Sequence, residues 1–279
     1  MNIKHTRFIC LLILCLSLPV SFAYVMGLDD RLEVGNNAGQ SAEVAQTGMI
    51  SIQGEQFVSG LLTGENCDVV ISAGHAAIHW ETVARKGWRK GELRGGGDFR
   101  FNLNPTTGLE WQTMTLVRSG YELEENIDKD KHDWSIFRLS KRALPECENI
   151  KISPNRSDCP GEVIMPGFHF DKPETKLVDN SCSIKSSSGD GVVVHDCDSK
   201  DGSSGAPLFC RNNDRSTLLA INISGLTRKD YFDAGVYGKA GLNYHDQQHK
   251  NFAINISGAF YKALMKELFN SKTRSFLKD

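Results

Sequence analysis

From Met49 onward, short apolar runs alternate with Gly, Asn and Asp punctuation. MISIQG, QFVSGLLT, DVVIS, RFNLN, MTLVRS and WSIFRLS come first; EVIMPGF, GVVVH, APLFC, LLAINIS and NFAINIS follow. Runs this short, rich in Val, Ile, Phe and Thr and closed by turn residues, predict β-strands, and their spacing predicts an all-β sandwich or barrel. The pattern lapses between Lys141 and Pro160, where Pro145, Pro154, Cys147 and Cys159 sit without alternation, so residues 146–160 read as a linker. Residues 48–145 and 161–279 then form two β units. In the second, Ser257 is placed to cap a helix in which Phe260, Leu264 and Leu268 recur at four-residue spacing. No internal repeat and no glycine-rich dinucleotide loop occurs.

The start of the chain is a different object. Lys4 and Arg7 precede an apolar run from Phe8 to Leu18, and Ser21, Phe22 and Ala23 end with small residues, so residues 1–23 read as a secretory signal peptide. The run is short for a membrane span and no later segment is longer, which predicts a secreted protein, extracellular or periplasmic, without membrane attachment. Residues 24–47 then form a leader, in which GNNAGQSAEVAQT is small and polar and reads as an extended or disordered arm. Without Lys4 and Arg7 the 32 basic residues become 30, against 34 acidic ones. That balance gives no sign of a nucleic-acid partner. Beyond residue 23 six cysteines remain (Cys67, Cys147, Cys159, Cys182, Cys197, Cys210), an even number that suits disulfides in an oxidising compartment. About fifteen pairings are open, and no C-x-x-C or His-Cys cluster suggests zinc.

The chemistry-bearing stretch is DGSSGAP at 201–207, with Ser203 and Ser204 between two glycines. A serine hydroxyl becomes a nucleophile at neutral pH when an imidazole takes its proton and a carboxylate holds that imidazole. VVISAGH ends an apolar strand at His75, and HDWSIFRL opens one after Asp133. Each feature alone has a plain structural reading: a Gly/Ser hairpin turn, a structural histidine, a strand-capping acid. Their order along the chain, His, Asp, Ser, joins them. Asp128 and Asp130 lie in the charged run DKDKHD, which reads as a solvated loop. His245 and His249 are spaced for one helix face but have no third ligand, so no metal is expected.

These blocks resemble the trypsin-like, chymotrypsin-fold serine endopeptidases, with patterns T-A-A-H, D-[IV]-A-[LI]-[LI] and G-D-S-G-G-P, and above all their secreted bacterial branch, which includes the glutamyl endopeptidases. The resemblance runs from about Met49 to the terminal helix, and the DDR at Asp29 to Arg31 looks like the same branch. It implies two antiparallel six-stranded β-barrels with a C-terminal α-helix, His75 and Asp133 on the first barrel and Ser204 on the second. It also implies an oxyanion hole from the Gly202 and Ser204 amides, no cofactor, protein or peptide substrates, and a monomer. The order Ser, acid, His and the Gly-x-Ser-x-Gly of α/β-hydrolases are absent.

By the same resemblance Asp198, followed by Ser199, falls at the base of the primary specificity pocket, which implies cleavage after Arg or Lys; glutamate specificity is the alternative, and a non-catalytic binding relative a further one. INISG places Ser224 and Gly225 on the strand that pairs with substrate backbone. GVY at Gly235 to Tyr237 resembles a pocket wall, but NFAINIS suits that strand better. Val58 and Ala76 replace both members of a family disulfide. Cys210 matches a family cysteine and Cys182 and Cys197 flank an apparent hairpin, so the expected pairs are Cys182 with Cys197 and Cys147 with Cys159, leaving Cys67 with Cys210. Arg85 to Gly97 reads as a solvated basic loop. No IVGG precedes the first barrel and Ser203 stands where animal members carry the aspartate that a new amino terminus pairs with. The oxyanion turn is therefore expected to be organised by other contacts, with Arg31 at most an autolytic trimming site.

Overall fold

The structure is a computed structural model, and it describes Val25 and residues 29–35, 41–53, 56–78, 93–94, 99–123, 130–154, 159–187, 191–212, 215–225 and 251–275. The signal peptide, most of the basic loop, Asp128, Gly235 to Tyr237, His245 and His249 lie outside these residues.

Six strands, β2 (Thr47–Ile52), β3 (Gln56–Thr63), β4 (Val69–Ser72), β5 (Phe99–Asn102), β6 (Gln112–Ser119) and β7 (Ser135–Leu139), close an antiparallel barrel in the order β2-β3-β4-β7-β6-β5. Alternation fills it: Ile50, Leu62, Val70, Phe101, Met114 and Phe137 point inward, and the Phe99 and Phe137 rings meet at 4.9 Å. The run VVIS is apolar at consecutive positions because β4 is buried on both faces. Val70 faces the barrel interior, while Val69 and Ile71 face a second core shared with the rest of the molecule.

That rest is a nine-stranded sheet. It is built from β1 (Leu32–Glu33), β8 (Lys151–Ile152), β9 (Glu162–His169), β10 (Lys172–Cys182), β11 (Ile184–Ser187), β12 (Val192–His195), β13 (Pro207–Asn212), β14 (Arg215–Gly225) and β15 (Asn251–Asn255). Its order is β1-β10-β9-β13-β14-β15-β12-β11, with β8 parallel to β14. Of the expected second six-stranded barrel the antiparallel β unit is present, but among the described residues its sheet is not closed, and two short strands from outside the expected unit extend it. β8 comes from the linker. β1 comes from the leader, whose Leu32 and Glu33 pair with Val178 and Leu177. The leader also carries a one-turn helix, α1 (Ala42–Ala45), whose Glu43 is buried against Arg211 at 2.6 Å and Ser216 at 2.8 Å. Residues 29–35 and 41–47 of this small, polar leader are held by long-range ion pairs and strand pairing.

The terminal helix α2 (Gly258–Ser275) lies over the seam between the halves. Phe260 and Leu264 enter the shared core with Ile164, Phe209, Ile221 and Ile223 from the sheet and Trp134 and Ile136 from the barrel. Arg138 of β7 donates to Asp68 at 2.7 Å and to Glu267 of the helix at 3.0 Å, and Ser271 donates to Asp68 at 2.5 Å.

The disulfides are Cys182–Cys197, as expected, with Cys67–Cys147 and Cys159–Cys210 in place of Cys147–Cys159 and Cys67–Cys210. Each stays within its own half. Ala143 N–H donates to Cys67 O at 3.0 Å, which brings the chain leaving β7 past Cys67 and delivers Cys147 to it. Cys210 pairs in register with Val163 of β9, just after Cys159. Strand neighbours decided both bridges, and linear spacing does not reveal them.

Candidate active site

β4 runs into a 3-10 turn at Gly74–Ala77 that carries His75. Asp133 sits just ahead of β7, the strand paired with β4, so the two side chains meet at the end of one strand pair. His75 Nδ1 lies 2.8 Å from Asp133 Oδ2 and 3.1 Å from Oδ1, and the His75 backbone N–H donates to Oδ1 at 2.7 Å. The carboxylate therefore holds both the ring and its backbone. Nδ1–H facing a carboxylate fixes the tautomer that leaves Nε2 as the basic nitrogen. Trp134, next to Asp133, stacks on Phe260 of α2 at 4.9 Å, which buttresses this corner from behind.

Ser204 lies in the turn before β13, pressed on the barrel. Its carbonyl accepts from Ser59 N–H at 2.8 Å, and its hydroxyl donates to Ile223 O at 3.3 Å. Gly205 has φ +85, and a Cβ there would stand 2.0 Å from Ser59 O and 2.1 Å from Ser72 Oγ, so only glycine lets the turn approach the end of β4 this closely. Gly202 has φ +95, with Phe57, Phe170 and Phe168 O filling the space where a side chain would go. The two glycines enclose Ser204 in a backbone that presents amides rather than side chains.

The other expected site residues are placed as follows. Ser224 and Gly225 end β14, opposite Phe252 and Asn251 of β15. Asp198 is buried, and its Oδ2 accepts from Asp30 N–H of the leader at 3.3 Å while its own N–H donates to Asp179 at 2.6 Å. Carboxylate oxygens of Asp30, Asp179 and Asp198 lie within 4.8 Å of one another. Burial, with the Asp30 charge adding, pushes the Asp179 carboxyl up. A second acid-and-cysteine grouping, Asp179 with Cys182 and Cys197, offers no thiolate because the cysteines are bonded to each other. Ser199 is buried as well and shares a hydrogen bond of 2.6 Å with Ser203 Oγ.

Beneath the turn lies a polar cluster that sequence reading missed. Asn222 of β14 donates through Nδ2 to Ser199 Oγ (3.2 Å), Ser203 Oγ (3.1 Å) and Ser203 O (3.1 Å), and its Oδ1 accepts from His195 Nε2 at 3.2 Å. All four residues are fully buried. Burial lowers the His195 pKa to about 4, against the raising effect of its Asn222 bond, so the ring is neutral at pH 7. This uncharged cluster occupies the place beneath the turn where the family resemblance would put an aspartate paired with a new amino terminus. The signal in the sequence is an amide inside the apolar run LLAINIS, which alternation alone assigns to a solvent face.

No protein-family model and no curated protein matches the chain. Solved structures do. A Glu endopeptidase in complex with MPD superposes with TM-score 0.62 at 16% identity, over 88% of this chain and 99% of that one. The protease Anisep from Arthrobacter nicotinovorans gives 0.55 at 14%, over 80% and 94%, and the thermostable serine protease AL20 from an extremophilic microorganism gives 0.55 at 15%, over 84% and 100%. At such identities the likeness is one of fold, and the fold of this chain is that of the chymotrypsin-like serine proteases.

Proposed function

We propose that the protein is a serine endopeptidase that works through an acyl-enzyme, with Ser204 as nucleophile, His75 as base and then acid, and Asp133 as the group that orients His75. The observation that carries this is the doubly held Asp133–His75 pair at the end of β4, against which the Ser204 turn is packed. In this reading the Ser204 hydroxyl, which donates to Ile223 O at 3.3 Å, leaves that acceptor for His75 Nε2 when substrate binds. Nε2 then takes the hydroxyl proton as Oγ attacks the scissile carbonyl, and the Gly202 and Ser204 amides receive the developing oxyanion. The same imidazolium returns the proton to the leaving amine. Water, deprotonated by His75, attacks the ester and frees Ser204. No step calls for a cofactor. Three disulfides and a signal-like start accord with action outside the cytoplasm.

For specificity, we favour cleavage after Arg or Lys, because Asp198 stands in a cluster of three carboxylates whose field favours a cation. Specificity for glutamate is the second reading, favoured by the Glu endopeptidase among the structural neighbours. A fluorophosphonate tests the chemistry: it should label wild type and Ser203→Ala but not Ser204→Ala, and labelling that follows Ser203, or none in wild type, removes the reading. A cleavage-site profile on a denatured protein mixture decides between basic and acidic residues on the acyl side.

A further inference from the structure

The leader segment at 29–34 is tied to the molecule by more side-chain bonds than a passive arm requires. Arg31 has a side chain only 1% exposed, which withdraws it from any trimming protease in the folded state. Its Nε and Nη2 bind Asp29 Oδ1 and Oδ2 at 2.8 and 2.7 Å, and its Nη1 and Nη2 bind Asp171 Oδ1 and Oδ2 at 3.2 and 2.6 Å. Two carboxylates thus clamp one guanidinium from two sides, each through two nitrogens. Bidentate pairing fixes direction as well as distance. Beside it, β1 pairs with β10, and Val34 N–H donates to Lys176 O at 3.0 Å.

Asp171 belongs to the turn between β9 and β10, and that turn touches the catalytic backbone. The residue before it, Phe170, donates its N–H to Asp201 O at 2.6 Å, and its ring packs edge-on against Phe57 at 4.5 Å over the bare α-carbon of Gly202. In a trans peptide the carbonyl and the amide hydrogen point in opposite directions. Holding Asp201 O on the Phe170 side therefore directs the Gly202 N–H to the opposite side. Gly202, at φ 95, is the residue type that most readily allows this peptide to flip, so the Phe170 hold on Asp201 O favours the orientation seen.

Resting on the function proposed above, we infer that Arg31 is a positioning residue for the oxyanion hole. By clamping Asp171 it fixes the β9–β10 turn, whose Phe170 N–H holds Asp201 O and so orients the Gly202 N–H toward the oxyanion. The leader thereby serves the site from behind through a side chain, with no new amino terminus involved.

The test uses the full secreted chain as wild type, Arg31→Gln, Arg31→Lys, Asp171→Asn and the double variant Arg31→Gln/Asp171→Asn. Complete loss of one oxyanion donor costs about 100- to 1,000-fold in kcat; partial misorientation should lower kcat about 10- to 30-fold in Arg31→Gln and Asp171→Asn, with KM within about twofold. Arg31→Lys should recover part of the loss, and the double variant should be no worse than the worse single one, because both act through one contact. Backbone hydrogen exchange of residues 200–205 should quicken about tenfold in Arg31→Gln while that of β13 is unchanged. Unaltered kcat and unaltered exchange overturn the inference, as does a loss confined to KM. If Arg31→Gln does not fold, Arg31→Lys and Asp171→Asn decide by the same measures. If wild type neither hydrolyses peptides nor takes the fluorophosphonate, the functional reading fails by itself, and the exchange measurement still accepts or rejects the coupling.

Discussion

Replacing Asn222 with leucine probes the buried polar cluster with little change of volume. The wild-type amide makes three donor contacts, at 3.1 to 3.2 Å, and one acceptor contact at 3.2 Å. Ser199 and Ser203 keep their mutual bond at 2.6 Å, so their hydroxyls are not stranded. One group is: His195 Nε2 loses its acceptor inside a fully buried pocket, whereas the Ser203 carbonyl gives up its Asn222 donor but keeps Ala206 N–H at 2.8 Å. The stranded donor costs about 1–3 kcal/mol and the lost Ser203 O bond about 1 kcal/mol, and the buried leucine returns on the order of 1 kcal/mol, so Asn222→Leu should lose about 2 kcal/mol of stability. Urea unfolding at pH 7 measures it as a lower midpoint at unchanged slope. The Ser203 peptide keeps its backbone bonds to Lys200 O and Ala206 N–H but loses its side-chain anchor, so the rate of fluorophosphonate labelling should fall about threefold or more even in urea-free buffer where the variant is folded. A variant within about 1 kcal/mol of wild type that labels at the wild-type rate would show that Asn222 merely fills space, and would refute the role given to the cluster.

Stability should fall as pH drops from about 6.5 to about 4, because His195 and His169 are held neutral by burial, their pKa values lowered to about 4 and about 3, while the unfolded imidazoles titrate near 6.5. The unfolded state takes up the extra protons in that window, so each ring gives a slope of about 1.4 kcal/mol per pH unit, and His195→Gln should remove about half of it in unfolding curves taken at several pH values. Gly205→Ala should cost more than about 3 kcal/mol and abolish peptide hydrolysis, since its Cβ meets backbone at 2.0 Å; a stable, active variant contradicts the packing described. Removing Cys67–Cys147 in the double alanine variant frees a loop spanning 80 residues and should lower stability by about 4–5 kcal/mol in the chain-entropy account, whereas Cys182–Cys197, spanning 15, should cost about 3; equal losses argue against that account.

Strand existence was legible because alternation and turn residues report one-sided burial directly, and the triad candidates because their residue types and order are unusual together. What stayed hidden depends on who lies beside whom. The pairing of Cys67 with Cys147 follows from the path of the chain after β7, and the widening of the second sheet from two strands too short to show a pattern, Leu32–Glu33 and Lys151–Ile152. The stretch at 35–47 read as an extended or disordered arm because the placement of its described residues 41–47 comes from Glu43 finding a partner far along the chain, Arg211, just as Arg31 before it finds Asp171. Asp198 was read by its place in a motif, and a motif does not tell that a leader amide approaches its carboxylate. Asn222 was concealed by the very alternation that revealed its strand.

The two halves of the candidate site come from opposite sides of the seam, and Ser59 of β3 ties them: its N–H holds Ser204 O at 2.8 Å, while its Oγ accepts from Phe168 N–H at 2.8 Å and donates to Gly202 O at 3.1 Å. Within the second half backbone sets the turn, with Gly205 N–H donating to Asn222 O at 2.7 Å and Phe170 N–H holding Asp201 O. Any residue but proline supplies such a donor, and every residue supplies the carbonyl. Particular side chains are needed where backbone cannot do the work: at glycines whose α-carbons must come within contact of another strand, at Ser59, at the proposed His75, Asp133 and Ser204, and at the polar pieces buried beneath the turn. The shared core imposes a looser demand, that Val69, Ile71, Ile136, Ile221 and Phe260 be apolar and fill the seam together. A geometry held in large part by backbone over such a core tolerates extensive sequence change. A chain that matches no family model by sequence accordingly superposes over 88% of its length on a solved structure with which it shares 16% identity.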